Sequence, residues 1–325
     1  MTNNEVFTTA TTAIAAKAYG KRWKITKNFV VCGALLLVAL IVALVISRGS
    51  DDGKMMVEGQ GTSTANHVIG GTEVLEDRYP YMVWISGVSL ACGGSLIARD
   101  VVLSAAHCKG VDHAAIGRHN ISNYADGEDI TIREELPHPS YDGNLLDNDF
   151  MLVFLDRAAD NVVPIKLNSN PSFPAAGQYA TSMGWGDIDI YDDGNDDTSH
   201  DQTFSDVLKQ VALNIVSNED CENTETLIQY RITKNMMCAK GGDSEGFCQG
   251  DSGGPLIVGS NDEAVQVGVV SWGWGCAADQ FPGVLARVSE AYEWIQREVC
   301  GRSDYASEAG FDCDGITTIG ELSSP

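Results

Sequence analysis

Two short motifs hold the residues best suited to chemistry: Gly250-Asp251-Ser252-Gly253-Gly254-Pro255, and Ser104-Ala105-Ala106-His107-Cys108 well upstream. A serine hydroxyl is a poor nucleophile at neutral pH. It needs a base to take its proton and donors to stabilise the oxyanion that forms. Glycines around Ser252 allow a sharp turn and bring bare N–H groups close to a substrate. His107 can be the base, and an aspartate in Asp147-Asn148-Asp149 can hold its imidazole in one tautomer. Asp149 is expected in that role rather than Asp147, because the apolar run 150–155 follows it directly and sets it at the mouth of a buried strand. His107 lies between the apolar stretch Val101–Leu103 and a cysteine, whereas His113, His119, His138 and His200 lie in polar stretches and read as surface or loop residues.

The chain order His107, Asp149, Ser252 is one of the known orders for a serine nucleophile with its base and orienting acid. An α/β-hydrolase esterase runs serine, acid, histidine and is excluded by that order. With Val68-Ile69-Gly70-Gly71 as a fourth element, the chain resembles the chymotrypsin/trypsin family of serine proteases over residues 68–300. The resemblance implies an all-β fold of two six-stranded Greek-key β-barrels with a C-terminal helix, the site lying in the cleft between them. It implies a serine endopeptidase working through an acyl-enzyme on protein or peptide substrates. The oxyanion hole would be the N–H groups of Gly250 and Ser252, and Ser271-Trp272-Gly273 would pair with the substrate backbone. Trypsin carries an aspartate at the base of its primary pocket, two residues before the cysteine preceding Gln-Gly-Asp-Ser. Here that position is Gly246, followed by Phe247, with Gly273 and Gly283 as walls. An uncharged base leaves a buried cation without compensation, so neutral or apolar residues are expected there, Phe247 shortening the pocket towards medium-sized ones. Trypsin-like Lys/Arg specificity stays open, since Asp243 or Glu245 just upstream can approach by another loop path. So does a non-catalytic interaction protein built on the protease fold.

The same resemblance implies a zymogen in which a new N-terminus at Val68 pairs with Asp251. The residue before that cut is His67, where trypsin-like zymogens carry Lys or Arg. Arg118 stands where the family's calcium loop begins with Glu; its guanidinium can pair with Asp126 or Asp129. No metal or cofactor is expected. Asn120-Ile121-Ser122 is a glycosylation sequon.

Eight of nine cysteines lie beyond residue 90, which suggests four disulfides made in an oxidising compartment. The resemblance pairs Cys92–Cys108, Cys221–Cys238 and Cys248–Cys276, leaving Cys300 and Cys313 to close a small loop. The net charge is −24, and residues 68–325 carry 14 Lys and Arg against 41 Asp and Glu, a net of −27. Such a surface excludes nucleic acid, which needs a basic face. Much of the charge sits in the run 187–206, which lacks calcium-loop spacing and reads as a solvated loop.

Between Lys27 and Arg48 lie 20 uncharged, mostly aliphatic residues. As a helix they rise about 30 Å, the thickness of a bilayer's hydrocarbon core. Lys17, Lys21, Arg22, Lys24 and Lys27 flank the N-terminal side, so the positive-inside rule predicts a cytoplasmic tail (1–27), an uncleaved transmembrane signal anchor (28–47) and a lumenal or extracellular remainder. A cleaved signal peptide has a shorter apolar region and a small-residue cleavage site. Residues 48–67 read as a stem, 68–300 as a protease domain expected to be monomeric, and 301–325 as an acidic tail. Strands are predicted at Tyr81–Ile85, Val101–Leu103, Met151–Leu155, Val207–Val216, Pro255–Val258 and Val265–Trp272. A helix is predicted over Ser289–Val299 from the spacing of Tyr292, Ile295 and Val299.

Overall fold

A computed structural model describes residues 71–188, 203–224, 231–242, 245–273 and 281–316. The chain divides into two units, 1–62 and 63–325, and every described residue belongs to the second. The expected tail, anchor and most of the stem therefore lie outside the described residues. Among those described, no helix is long and apolar enough to cross a membrane.

After a two-residue strand β1 (Thr72–Glu73), six strands follow: β2 (Met82–Ser86), β3 (Ala91–Ala98), β4 (Val101–Ser104), β5 (His113–Ile116), β6 (Glu128–Pro137) and β7 (Met151–Leu155). They close into a barrel in the order β2-β3-β4-β7-β6-β5. After β8 (Lys166–Leu167) come β9 (Tyr179–Gly184), β10 (Lys209–Val216), β11 (Met236–Lys240), β12 (Pro255–Val258), β13 (Val265–Trp272) and β14 (Gly283–Arg287). These six also close a ring, β9-β10-β11-β14-β13-β12, with the last pairing back to the first. Both rings place their strands first, second, third, sixth, fifth, fourth, the same antiparallel path used twice. Ring closure gives each of these strands a partner on both sides, which limits exposed edges. β1 adds to β10, and β8 lies parallel to β13.

The sequence dictates which faces turn inward. Along β10 the buried residues alternate with more exposed ones, as a strand's period of two requires. β7, Met-Leu-Val-Phe-Leu, is buried throughout. The Phe154 ring is flanked by the guanidiniums of Arg133 and Arg302, 6.0 and 5.7 Å from its centroid. A short helix α1 (Asn218–Glu222) is capped by Ser217, whose hydroxyl accepts from Asp220 N–H. The closing helix α2 (Val288–Arg302) buries Val288, Ala291, Ile295 and Val299, one face at helical spacing. Its Trp294 meets His138 of the first barrel edge-on, with ring centroids 4.7 Å apart.

Residues 301–316 depart from the expected tail: they fold back onto the first barrel. Cys300–Cys313 is a disulfide. Ala306 and Phe311 are buried in the main core, and Phe311 stacks on Tyr292 at 6.4 Å. Tyr305 lies under the Arg99 guanidinium at 5.0 Å, and the Ser303 hydroxyl donates to Asp100. Residues 317–325 lie outside the described residues. Two further disulfides, Cys92–Cys108 and Cys221–Cys238, pair as the resemblance implies. Cys248 is disulfide-bonded as well, while Cys276 lies outside the described residues.

Candidate active site

His107 sits in a one-turn 3-10 helix, Ala106–Cys108, directly after β4. The Cys92–Cys108 disulfide ties that turn to β3, so the imidazole rides on a fixed base. The two sulfurs and a His107 ring nitrogen lie within 4.8 Å of one another, but sulfurs spent on a disulfide are not thiolate ligands for a metal.

The carboxylate comes from a strained segment. Leu146 and Asn148 have φ of 51° and 52°, in the left-handed region that non-glycine residues avoid. Asp149 follows, fully buried, and enters β7. Its Oδ2 lies 2.7 Å from His107 Nδ1, and its Oδ1 accepts from His107 N–H at 3.0 Å. A third bond reaches it from the other barrel: Ser271 Oγ donates to Oδ2 at 2.6 Å. Three partners satisfy the oxygens of this buried carboxylate. Nearby Tyr141 has its phenol pushed up to about 12, first by burial and then by the charge of Asp149. Asp147 is spent elsewhere, accepting from Thr233 Oγ1 at 2.5 Å and Asn235 Nδ2 at 3.1 Å.

Ser271 reaches Asp149 because β13 breaks register with β14 between Val270 and Trp272, a bulge that re-aims the intervening side chain. The sequence placed Ser271 only in a substrate-binding strand. Its bond to Asp149 depends on that bulge, which no local pattern announces.

Ser252 is held against β3. Gly93 N–H of β3 donates to Ser252 O at 2.7 Å, and Gly253 lies so close to Ser104 Oγ and Gly93 O that a Cβ there would stand 2.2 and 2.5 Å from them. Gly253 also takes a φ of 79°, so glycine is needed twice over. Among the described residues, the Ser252 hydroxyl makes no hydrogen bond, and the N–H groups of Gly250 and Ser252 find no acceptor. Two bare donors beside an open hydroxyl can receive an oxyanion. Phe204, not anticipated from sequence, rests its ring against Gly250.

Asp251 points the other way, inward. Its carboxylate accepts from Gly186 N–H at 2.8 Å and Cys248 N–H at 2.9 Å. Burial pushes its pKa up to about 6, with the charge of Asp187 adding to the rise. Gly184 and Gly186 lie against it, since a Cβ on either would fall within 2.2 or 2.5 Å of its carboxyl group. Val68 lies outside the described residues.

At the expected primary pocket Gly246 is buried, Phe247 is half-buried and Gly273 is exposed. The Phe247 ring meets Gly283, and Trp272 of β13 pairs with Val284 of β14. Glu245 turns back on its own loop, accepting from Gly242 N–H at 3.1 Å; Asp243 lies outside the described residues. In the 117–129 loop, Arg118 pairs with Asp129 Oδ2 at 2.7 Å and donates from Nε to Asp126 O at 2.8 Å. Asn120 is half-buried there and bridges to Val207.

Residues 68–295 match the family model described as Trypsin. The chain belongs to the trypsin family. It is 33% identical to the trypsin of Sus scrofa over 244 residues, 73% of this chain and 98% of that protein. To a trypsin of Xenopus laevis it is 34% identical over 240 residues, 71% of this chain and 90% of the other. Serine protease 1 of Canis lupus familiaris is 36% identical over 238 residues, 71% of this chain and 89% of that one. This trypsin-family chain is thus a serine-type endopeptidase acting on protein or peptide substrates.

Proposed function

We propose that Ser252 attacks the scissile carbonyl while His107 takes its proton and returns it to the leaving amine. Water then repeats the sequence to release the acyl group. The observation that carries this reading is the 2.7 Å contact of Asp149 with His107 Nδ1. It leaves the other ring nitrogen as the basic one and favours the imidazolium formed during attack. Gly250 and Ser252 N–H groups hold the oxyanion, and losing one such donor typically costs about 10²–10³ in rate. Ser271, Trp272 and Gly273 align the substrate backbone.

The primary pocket takes neutral or apolar side chains. Gly246 at its base supports this, as does Glu245, whose carboxylate is turned to Gly242. The relatives named trypsin favour the rival preference for Lys or Arg. The enzyme is made as a monomeric, membrane-anchored zymogen whose protease domain lies outside the cytoplasm, glycosylated at Asn120. Cleavage after His67 lets Val68 pair with Asp251.

The test is a set of peptide amides differing only in the residue on the acyl side of the cut, given to the processed protein and to Ser252→Ala. Neutral residues should outperform Lys and Arg, and Ser252→Ala should abolish hydrolysis with its fold intact. Arg substrates cut fastest would establish the rival specificity. Substantial hydrolysis by Ser252→Ala would sink the catalytic assignment.

A further inference from the structure

Phe247, which follows the buried Gly246, sets its benzene ring against Gly283 at the start of β14. The Cζ of Phe247 lies 2.1 Å from where a Cβ on Gly283 would stand, and Cε2 and Cε1 lie at 2.7 and 2.8 Å. The tip of the ring therefore touches the bare backbone of Gly283. It is held there from both ends. The ring packs on the apolar core of the second barrel. The next residue, Cys248, is disulfide-bonded and donates its N–H to Asp251. Withdrawing Phe247 by a backbone shift would thus disturb the loop that leads into Ser252. Phe247 is nevertheless only half-buried.

Taking the primary pocket as assigned above, we infer that Phe247 raises its floor, so that this protease cuts after small uncharged residues of Ala or Val size rather than after Leu, Phe or Tyr. A substrate side chain entering between Gly273 and Gly283 meets the ring where a deeper pocket would have space. A long side chain must displace a ring that is packed on one face, and overfilling a packed site is unfavourable. A short one covers the exposed part of the ring and removes apolar surface from water. Charge and size are thereby set by different residues, Gly246 for the first and Phe247 for the second.

The experiment measures kcat/KM on peptide amides with Ala, Val, Leu, Phe or Arg at the acyl-side position, for the processed protein and for Phe247→Ala. The unaltered enzyme should prefer Ala or Val over Phe by at least about tenfold, the scale on which hydrophobic pockets discriminate size. Phe247→Ala should reverse the order, raising the Phe substrate by about tenfold or more. Arg should stay poor in both. Should Phe247→Ala fail to fold, Phe247→Leu keeps an apolar side chain and should shift the optimum towards Leu. An unaltered enzyme that cuts Phe peptides fastest, or a folded variant with unchanged order, would overturn the inference and leave the catalytic reading standing. Absence of all cleavage, with no labelling of Ser252 by a serine-reactive phosphonate, would overturn both.

Discussion

At the scale of single residues, Asp251 is a carboxyl group held away from water. It is buried in the uncut chain with two backbone N–H donors and a pKa raised to about 6. A carboxyl whose folded pKa exceeds its unfolded one favours the fold fully below the unfolded value. That contribution is lost as pH rises through the folded value. Between about pH 4 and 6 the ionisation of Asp251 should therefore lower the stability of the uncut protein, by about 3 kcal/mol in all. Urea unfolding of the uncut Ser252→Ala protein across that range, with and without Asp251→Asn, checks this. The variant should show the more positive slope of stability against pH, and identical slopes would refute the buried charge. The approach of Asp149 to His107 was legible from sequence because the motifs that hold them are contiguous and ordered. The contact of the Phe247 ring with Gly283 was not legible, because it needs the loop before β12 brought against β14.

At the scale of elements, each barrel was announced by its apolar strands, and the predicted strands fall within two residues of those observed. The C-terminal clasp was not announced. Ala306 and Phe311 are isolated apolar residues in an acidic stretch, without the period of two or 3.6 that marks a strand or a helix. Their burial follows from the loop that Cys300–Cys313 closes, 13 residues apart. Removing that bond with Cys300→Ala and Cys313→Ala together should cost about 2–3 kcal/mol, chiefly through the freedom returned to the unfolded chain. Denaturant midpoints should fall accordingly, while kcat/KM at 25 °C should be unchanged, because the clasp rests on the first barrel away from His107. A loss of activity without a loss of stability would place the clasp in the site instead.

At the scale of the whole molecule, the proposed anchor and stem precede a protease domain of the trypsin family. No cysteine occurs between Cys32 and Cys92, so no disulfide can tether the domain to the stem once the chain is cut after His67. Processing should release a soluble protease that begins at Val68. A form with that N-terminus still in the membrane fraction after carbonate and reducing washes would refute the release. The two barrels meet at Asp149, which takes the His107 ring from one and the Ser271 hydroxyl from the other. A carboxylate held in that way is a gauge of alignment across a seam. If the barrels part by about an ångström, too little to unfold either, Ser271 lets go of the carboxylate, and Ser252, carried by the second barrel, shifts relative to an imidazole that Asp149 still holds. Hydrolysis should then fall silent while every strand is still in place, and recover when the seam closes. For this molecule, turnover is a finer reporter of how its halves are docked than any measure of how well each half is folded.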